Sequence, residues 1–354
     1  MSKKEKKTKK TEKPKKERKI RKTTILFIIL DIFVAGCFFL VYGPYTNFRN
    51  TIINTAMNTK THQYIAYTFW SDEVIQKVLS DTAYIPINDS VNLDDIVIDT
   101  AQKDEYENEY DEMILTRDPG NEDYKYMEVK VGKYKGHLVA IYDPSKVELI
   151  HSKSFNTGRG QERIKDMCTR MGGVVCINGG MFYDEGYGSD IPMGYLIKDG
   201  EIIWSDHSGA ANLIGFTNDN KLLLVNATGE DAINMGMRDA LEFGPFLIVN
   251  GKELEFVNAT VGGYSRAARV AIAQRRDGVV LFLVTEGTHA AGPNMMEVIE
   301  TLKLYGAYNA ANLDGGTSSQ LAIDGKIINN PKNVFGQSVS GGRRVVSGFG
   351  LILE

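Results

Sequence analysis

Three short stretches of the sequence gather residue types that can do chemistry. In Ala310-Ala311-Asn312-Leu313-Asp314-Gly315-Gly316-Thr317-Ser318-Ser319, a small-residue apolar run delivers Asp314 at its end. The Gly-Gly pair and three hydroxyls that follow can converge donors on an anion. A carboxylate beside them suits acid–base or nucleophilic work. The same residues can also form an Asx-type turn closed on itself, and residue types alone leave these readings level. The second stretch is Cys176-Ile177-Asn178-Gly179-Gly180-Met181-Phe182, where a strand-like run meets adjacent glycines. Such a pair permits a sharp turn and close approach of a ligand to main-chain N–H groups. Standing alone, it is more often structural. The third is a set of arginines: Arg266, Arg269 and the pair Arg343-Arg344. Arg269 opens the apolar run Val270-Ala271-Ile272-Ala273, and a buried guanidinium needs a carboxylate or phosphate partner. A structural salt bridge explains it equally well.

Other residue types narrow the chemistry. The five histidines stand at 62, 137, 151, 207 and 289 with no HxH or HxxxH spacing, which argues against a two-metal phosphodiesterase. An acidic group of Asp184, Glu286 and Asp314 leaves a Ca²⁺ or Mg²⁺ ion open as a cofactor. Of the three cysteines, Cys37 lies in an apolar run, and Cys168 and Cys176 lack a CxxC spacing. The expectation is that core packing rather than a Cys168–Cys176 cross-link stabilises the domain.

These residues must be positioned by the stretch from about residue 127 to 354. There, short apolar runs alternate with two-residue turns at Asp199-Gly200, Asn250-Gly251, Asp277-Gly278 and Asp324-Gly325. Asp-Gly and Asn-Gly supply the positive φ angles of tight hairpins. Helices are few: one is expected over residues 161–171, stopped by Gly172-Gly173. Another starts at Asn294, where Glu297 completes a capping-box pattern, and ends before Gly306. The predicted class is α+β, mainly antiparallel sheet with hairpins and a few packed helices, in one domain over 127–354.

Ahead of it the texture differs. Residues 1–22 hold 13 Lys or Arg against Glu5, Glu12 and Glu17. Residues 23–43 are apolar except for Asp31; at a helical rise of about 1.5 Å they span roughly 30 Å, the thickness of a bilayer core. A signal peptide is the competing reading, but its apolar core is usually about 7–15 residues and ends at a small-residue cleavage site. A single transmembrane anchor is expected, preceded by one cytoplasmic basic tail over 1–22. The positive-inside tendency places the C-terminal domain outside the cell. Beside a membrane helix the basic run is explained by topology and anionic lipid, not nucleic acid. Asp31 is costly in hydrocarbon and either meets a partner helix or snorkels. Residues 44–126 then form a juxtamembrane stalk and acidic linker. A helix starts at Ser71 with Val74, Ile75, Val78 and Leu79 on one face. The acidic residues crowding 88–123 predict a solvated linker.

Taken in order, five features resemble the phosphodiester glycosidase family. They are the glycine turn at Asn178 to Phe182, Phe243-Gly244-Pro245, Arg269-Val270-Ala271-Ile272, Asn312-Leu313-Asp314-Gly315-Gly316 through Ser318-Ser319, and Gly342-Arg343-Arg344-Val345. The likeness covers about 130–354 and extends to an anchor and stalk like those of Gram-positive bacterial members. The chain departs from the family pattern in places. Thr317 stands where a third glycine is common, Val270 and Ala273 replace Thr and Gly, and Thr285-Glu286 occupies a carboxylate-Gly-Arg position. Glu286 keeps the acidic charge, and His289 nearby offers a cation.

The resemblance implies hydrolysis of sugar 1-phosphodiesters. Cleaving the C1–O bond expels a phosphate monoester whose second pKa is about 6, so the leaving group needs little protonation. Such chemistry asks for charge stabilisation at the phosphate and for a carboxylate that activates water or attacks C1. The residues implied are Asp314 as base or nucleophile, Glu286 as second carboxylate, and Arg269 for the phosphate, with Arg344 a weaker candidate. Asn178, Gly179, Gly180, Asn312, Gly315, Gly316 and Ser318 would position the substrate. The implied partner is a phosphate-containing glycopolymer at the membrane surface. Alternatives are a non-catalytic module binding anionic wall or capsule polymer, a phosphodiesterase cutting P–O, and a docking domain of a synthesis complex.

Overall fold

A computed structural model of the chain describes residues 21–57, 63–183, 190–257, 266–288, 290–333 and 335–353. Asp184, Tyr264, Ser265 and His289 lie outside the described residues, as does nearly all of the basic tail. Contacts divide the chain into two units, Met1–Arg49 and Asn50–Glu354. In the first, one helix covers Lys22–Tyr42, 21 residues long and apolar enough to cross a membrane by length and composition.

The second unit is built largely of antiparallel strands, and eight of them position the candidate residues. These are β1 (Tyr124–Val131), β2 (Tyr134–Ile141), β3 (Gly173–Asn178), β4 (Met237–Glu242), β5 (Val270–Arg275), β6 (Val280–Thr285), β7 (Ala307–Leu313) and β8 (Ser347–Ile352). A seven-stranded sheet runs in the order Lys252–Glu253, Phe246–Val249, β7, β5, β6, β2, β1. A five-stranded sheet has β3 at its centre, flanked by β8 and Leu321–Ile323. A second five-stranded sheet centres on β4.

Side-chain alternation sorts the core into layers. Val270 and Ile272 of β5, Phe282 and Val284 of β6, and Val139 of β2 face Ile177 and Phe349 of the β3 sheet and Ile214 and Phe216 of the β4 sheet. The intervening residues Ala271, Ala273, Leu281, Leu283 and Leu138 face the opposite way, onto Val298 and Leu302 of the helix Met295–Leu304. Both faces of the seven-stranded sheet are therefore covered, which is why β5 and β6 read as unbroken apolar runs. Each fully buried side chain such as Phe282 contributes about 1.5–3 kcal/mol.

The hairpin signals hold. Asp199-Gly200, Asn250-Gly251 and Asp324-Gly325 have positive φ at both positions, while at Asp277-Gly278 only Gly278 does. The capping box at Asn294 and Glu297 is formed. Ile75 and Val78 are buried on the helix Asp72–Asp81.

Three expectations are corrected. The helix expected over 161–171 is shorter, Ile164–Arg170, because Glu162 and Arg163 pair as a strand with Val345 and Arg344. The acidic stretch is not a free solvated linker. Ile96, Ile114 and Leu115 are buried among its acids, and Asp111 meets Arg275 at 2.8 Å. Asp104, Glu105, Glu107 and Glu109 face solvent, so their charge is solvated while the interleaved apolar residues bind the segment down. Finally, Cys168 and Cys176 are joined by a disulfide. The helix and β3 pack closely enough to bring their Cα atoms to 5.9 Å across a turn that the sequence spacing does not reveal.

Candidate active site

The register of the seven-stranded sheet brings three candidate residues to one edge. Val270 of β5 pairs with Leu313 of β7 on one side and with Val284 of β6 on the other. One residue further out on each strand stand Arg269, Asp314 and Thr285, with Glu286 next. The edge is pinned by a reciprocal pair of bonds: the Arg269 N–H donates to the Thr285 hydroxyl Oγ1 at 2.8 Å, and the Thr285 N–H donates to the Arg269 carbonyl at 2.8 Å. Thr285, a departure from the family pattern, is thus a structural brace.

The second sheet meets this edge at the glycine turn. Asp314 N–H donates to the Gly179 carbonyl at 2.8 Å. Asn178, 1% exposed, donates from Nδ2 to the Asp314 carbonyl at 2.6 Å and accepts from the Gln320 N–H at 2.8 Å. Its side chain is a clamp between β3 and the Asp314 loop. The Gly179 and Gly180 N–H groups are spent on Ser347, one on its carbonyl at 3.0 Å and one on its hydroxyl at 3.1 Å. Glycine is required at 179 by closeness: a Cβ there would sit 2.3 Å from a Leu241 methyl carbon. At Gly316 the φ of 59° is the left-handed value that glycine adopts without cost. The Gly316 N–H donates to the Ala268 carbonyl at 2.7 Å, and a Cβ on Gly315 would stand 2.6 Å from that same oxygen. Both glycines let the Asp314 loop lie against the segment leading to Arg269.

Electrostatically the edge is mixed. Burial pulls the Arg269 guanidinium down to about 10, so it is charged at neutral pH. Glu286 Oε1 lies 3.1 Å from His137 Nε2 and accepts the Asn330 N–H at 2.9 Å. Burial raises this carboxyl, but the His137 and Asn330 hydrogen bonds, with the charge of Lys332, outweigh it and hold it below its ordinary value. Glu286 is therefore a carboxylate at neutral pH, not a proton donor.

Other candidates are placed differently. Arg344 is exposed on the short strand Arg344–Val345, while Arg343 turns inward: its Nη1 donates to Thr317 Oγ1 at 2.9 Å and its guanidinium lies 4.9 Å over the Phe182 ring. Thr317 and the glycine turn thus share Arg343, the member of the pair to which the sequence assigns no phosphate role. Arg266 pairs with Glu297 at 3.0 Å and serves the helix N-terminus. Asn312 donates to the Gly244 carbonyl at 3.0 Å, within the Phe243-Gly244-Pro245 motif, and so joins two motifs. Ser318 is buried under the Gly315 turn, its N–H on the Gly315 carbonyl at 3.1 Å. Among the described residues no group of three His, Cys, Asp or Glu is arranged to hold a metal ion.

Comparison with known proteins bears on the family and the fold. The phosphodiester glycosidase family model (NAGPA) matches residues 171–352, about half of the chain, which takes in Asn178, Arg269, Glu286 and Asp314. A SPbeta prophage-derived uncharacterized protein of Bacillus subtilis (strain 168), YomE, is 30% identical over 180 residues, 48% of this chain and 27% of that one. The mouse N-acetylglucosamine-1-phosphodiester alpha-N-acetylglucosaminidase is 23% identical over 218 residues, 56% of this chain and 41% of that enzyme. The chain thus spans less than half the length of either relative. The zebrafish enzyme's catalytic domain, solved in a form auto-inhibited by its pro-peptide, superposes with a TM-score of 0.54 at 18% identity. That match covers 66% of this chain and 83% of that domain, and it shows a shared fold. With the family model matching across the strands and turns that carry the site, the chain belongs to the phosphodiester glycosidase family, a family of hydrolases.

Proposed function

We propose that this protein is a membrane-anchored hydrolase that cleaves the C1–O bond of sugar 1-phosphodiesters in a cell-surface glycopolymer. The observation that carries the reading is the placement of Arg269, Asp314 and Glu286 at adjoining strand ends, locked to the Asn178-Gly179-Gly180 turn. Arg269 supplies fixed positive charge for the phosphate. Asp314 takes the base or nucleophile role. Water, or the carboxylate in a covalent route, bonds to C1 as the C1–O bond breaks and its electron pair leaves on the phosphate oxygen. The charged Glu286 stabilises positive charge developing on the sugar ring. No strong acid is needed, because a phosphate monoester leaves readily.

Among the described residues, Asn312 Oδ1, Ser319 Oγ and Gln320 Oε1, from the sequence on either side of Asp314, are buried without a protein partner. Buried polar atoms ordinarily find partners, so these favour a polar ligand here. The helix Lys22–Tyr42 supports an anchor. The Cys168–Cys176 disulfide supports an oxidising location, outside the cytoplasm, for the domain. On this reading the basic tail stays in the cytoplasm and the domain works on polymer at the outer membrane surface.

The test is hydrolysis of a panel of sugar 1-phosphodiesters in ¹⁸O water, with and without EDTA. Label on the released sugar is the expected result; label on the phosphate refutes C1–O cleavage. EDTA decides between a Ca²⁺- or Mg²⁺-dependent reaction and one run by the side chains alone.

A further inference from the structure

Beyond the residues of the family-matched segment, a chain of side chains leads from the outer strands of the large sheet to Glu286. His137 lies on β2, opposite Val284 of β6, and is 1% exposed. Its Nε2 is 3.1 Å from Glu286 Oε1 and its Nδ1 is 2.9 Å from the Tyr126 hydroxyl. Tyr126 sits on β1, and its ring is parallel to the imidazole within 12°. With the tyrosine O–H donating to Nδ1, the imidazole carries its proton on Nε2 and donates it to the carboxylate.

We propose that His137, held in turn by Tyr126, is a positioning residue for the reaction, fixing the Glu286 carboxylate in one orientation at the strand ends. This rests on the role given to Glu286 above. Both residues lie before residue 171, outside the family-matched segment, so the support is this chain's own. A histidine on a strand buried on both faces needs partners for both nitrogens, and here they are a tyrosine and the candidate carboxylate. Two hydrogen bonds on one imidazole leave it no rotational freedom. Glu286 Oε1 in turn is held by both His137 Nε2 and the Asn330 N–H.

The charged and titratable groups around Glu286 support the arrangement. On β1 and β2, Glu128 and Lys135 form an ion pair with each other, so their fields on Glu286 largely cancel. Tyr126 carries no charge at neutral pH, since burial, first, and the nearby Glu128 and Glu286 charges raise it further. Lys332, on the loop after Asn330, adds to His137 in favouring the charged carboxylate. His137 is the largest of the groups that oppose the effect of burial on Glu286. Replacing it leaves the burial and removes the main compensation, so the Glu286 carboxyl must titrate at higher pH.

The experiment uses the full chain in detergent micelles, with N-acetylglucosamine 1-(methyl phosphate) as substrate. Wild type, H137L and Y126F are compared; leucine keeps the bulk and has no donor for Glu286. The acid limb of the kcat/KM profile is expected to move up by about 1–2 pH units in H137L, the shift that corresponds to one lost hydrogen bond to a charged group. In Y126F the limb moves the same way by a smaller amount, with kcat falling and KM little changed. In parallel, ¹³C-carboxyl NMR follows Glu286, assigned by its absence in E286Q, and ¹⁵N-imidazole NMR reads the His137 tautomer. A Glu286 titration that stays put in both H137L and Y126F overturns the proposal. So does an acid limb that stays put while the carboxyl titration moves. If wild type releases no sugar yet the Glu286 titration moves with H137L, the positioning contact stands and the proposed reaction falls. Y126F, which removes only a hydroxyl, keeps the test decisive if H137L does not fold.

Discussion

Replacing Asn178 with alanine separates a structural clamp from a substrate contact. The wild-type amide closes two bonds across 136 and 142 residues of sequence, to the Asp314 carbonyl and the Gln320 N–H. Gln320 is fully buried, so alanine takes the acceptor from its main-chain N–H and the Asn178 donor from the Asp314 carbonyl. Each such lost bond costs about 1–3 kcal/mol, giving a loss of about 2–6 kcal/mol in all. The same change frees the main chain that carries Asp314, and a carboxylate displaced by about 1 Å costs on the order of a hundredfold in rate. Urea unfolding followed by tryptophan fluorescence reads the first effect as a lower midpoint with unchanged slope; sugar release reads the second. Asn178→Asp sharpens the test. Its carboxylate still accepts from Gln320 but faces the Asp314 carbonyl with no proton to donate. It is therefore expected to be destabilised at neutral pH and to recover as acid protonates it. If N178A keeps the wild-type urea midpoint while activity collapses, Asn178 touches substrate and the clamp argument is wrong.

Two further outcomes follow from the geometry. Arg343→Ala removes the side chain that joins Thr317 to Phe182 and is expected to lower kcat/KM at least tenfold, while Arg344→Ala, altering an exposed residue, changes it less than twofold; steady-state kinetics on both variants checks this, and the reverse order restores Arg344 as the phosphate ligand. Asp190, 2% exposed, accepts from the Thr157 N–H and hydroxyl and the Gly160 N–H through one oxygen. Burial alone would raise it, but the Thr157 hydroxyl and the amides of Gly160, Thr157 and Gly158 hold it well below the usual carboxylate range. Its folded pKa is depressed, so its contribution is complete above the unfolded value of about 3.9 and is lost as pH falls through the folded value. Asp190→Asn should cost about 2 kcal/mol or more at pH 7, and urea midpoints measured down the pH scale should see that gap close below about pH 4.

What could be read from the sequence was what local chemistry decides. Asp314 announces itself because an apolar run stops at a carboxylate and two glycines, and the run is apolar because both faces of its sheet are covered. The Asp-Gly and Asn-Gly hairpins and the Asn294 capping box are decided within four residues, and they hold in the fold. The antiparallel α+β class follows from them. Where the reading failed, the deciding partner lay far along the chain. Arg343 and Arg344 are adjacent and chemically equal; only the pairing of Arg344 with Arg163, from a segment 181 residues earlier, turns one out and the other in. The acidic stretch looks solvated by composition, and its charges are, but Arg275 waits for Asp111 across the sheet.

His137 is the sharpest case. On β2 it is one of a run in which every neighbour is buried, and a lone histidine there reads as a core residue. It becomes a partner of Glu286 only through the β2–β6 register, which sets His137 against Val284, two residues before the carboxylate. A one-residue slip in that register would turn His137 to the other face of the sheet. Its orientation is therefore enforced by the whole apolar pattern of β2 and β6 rather than by anything near position 137. The carboxylate and the imidazole that keeps it charged come from the residue just past β6 and from β2, and the packing of the core is what makes them one unit.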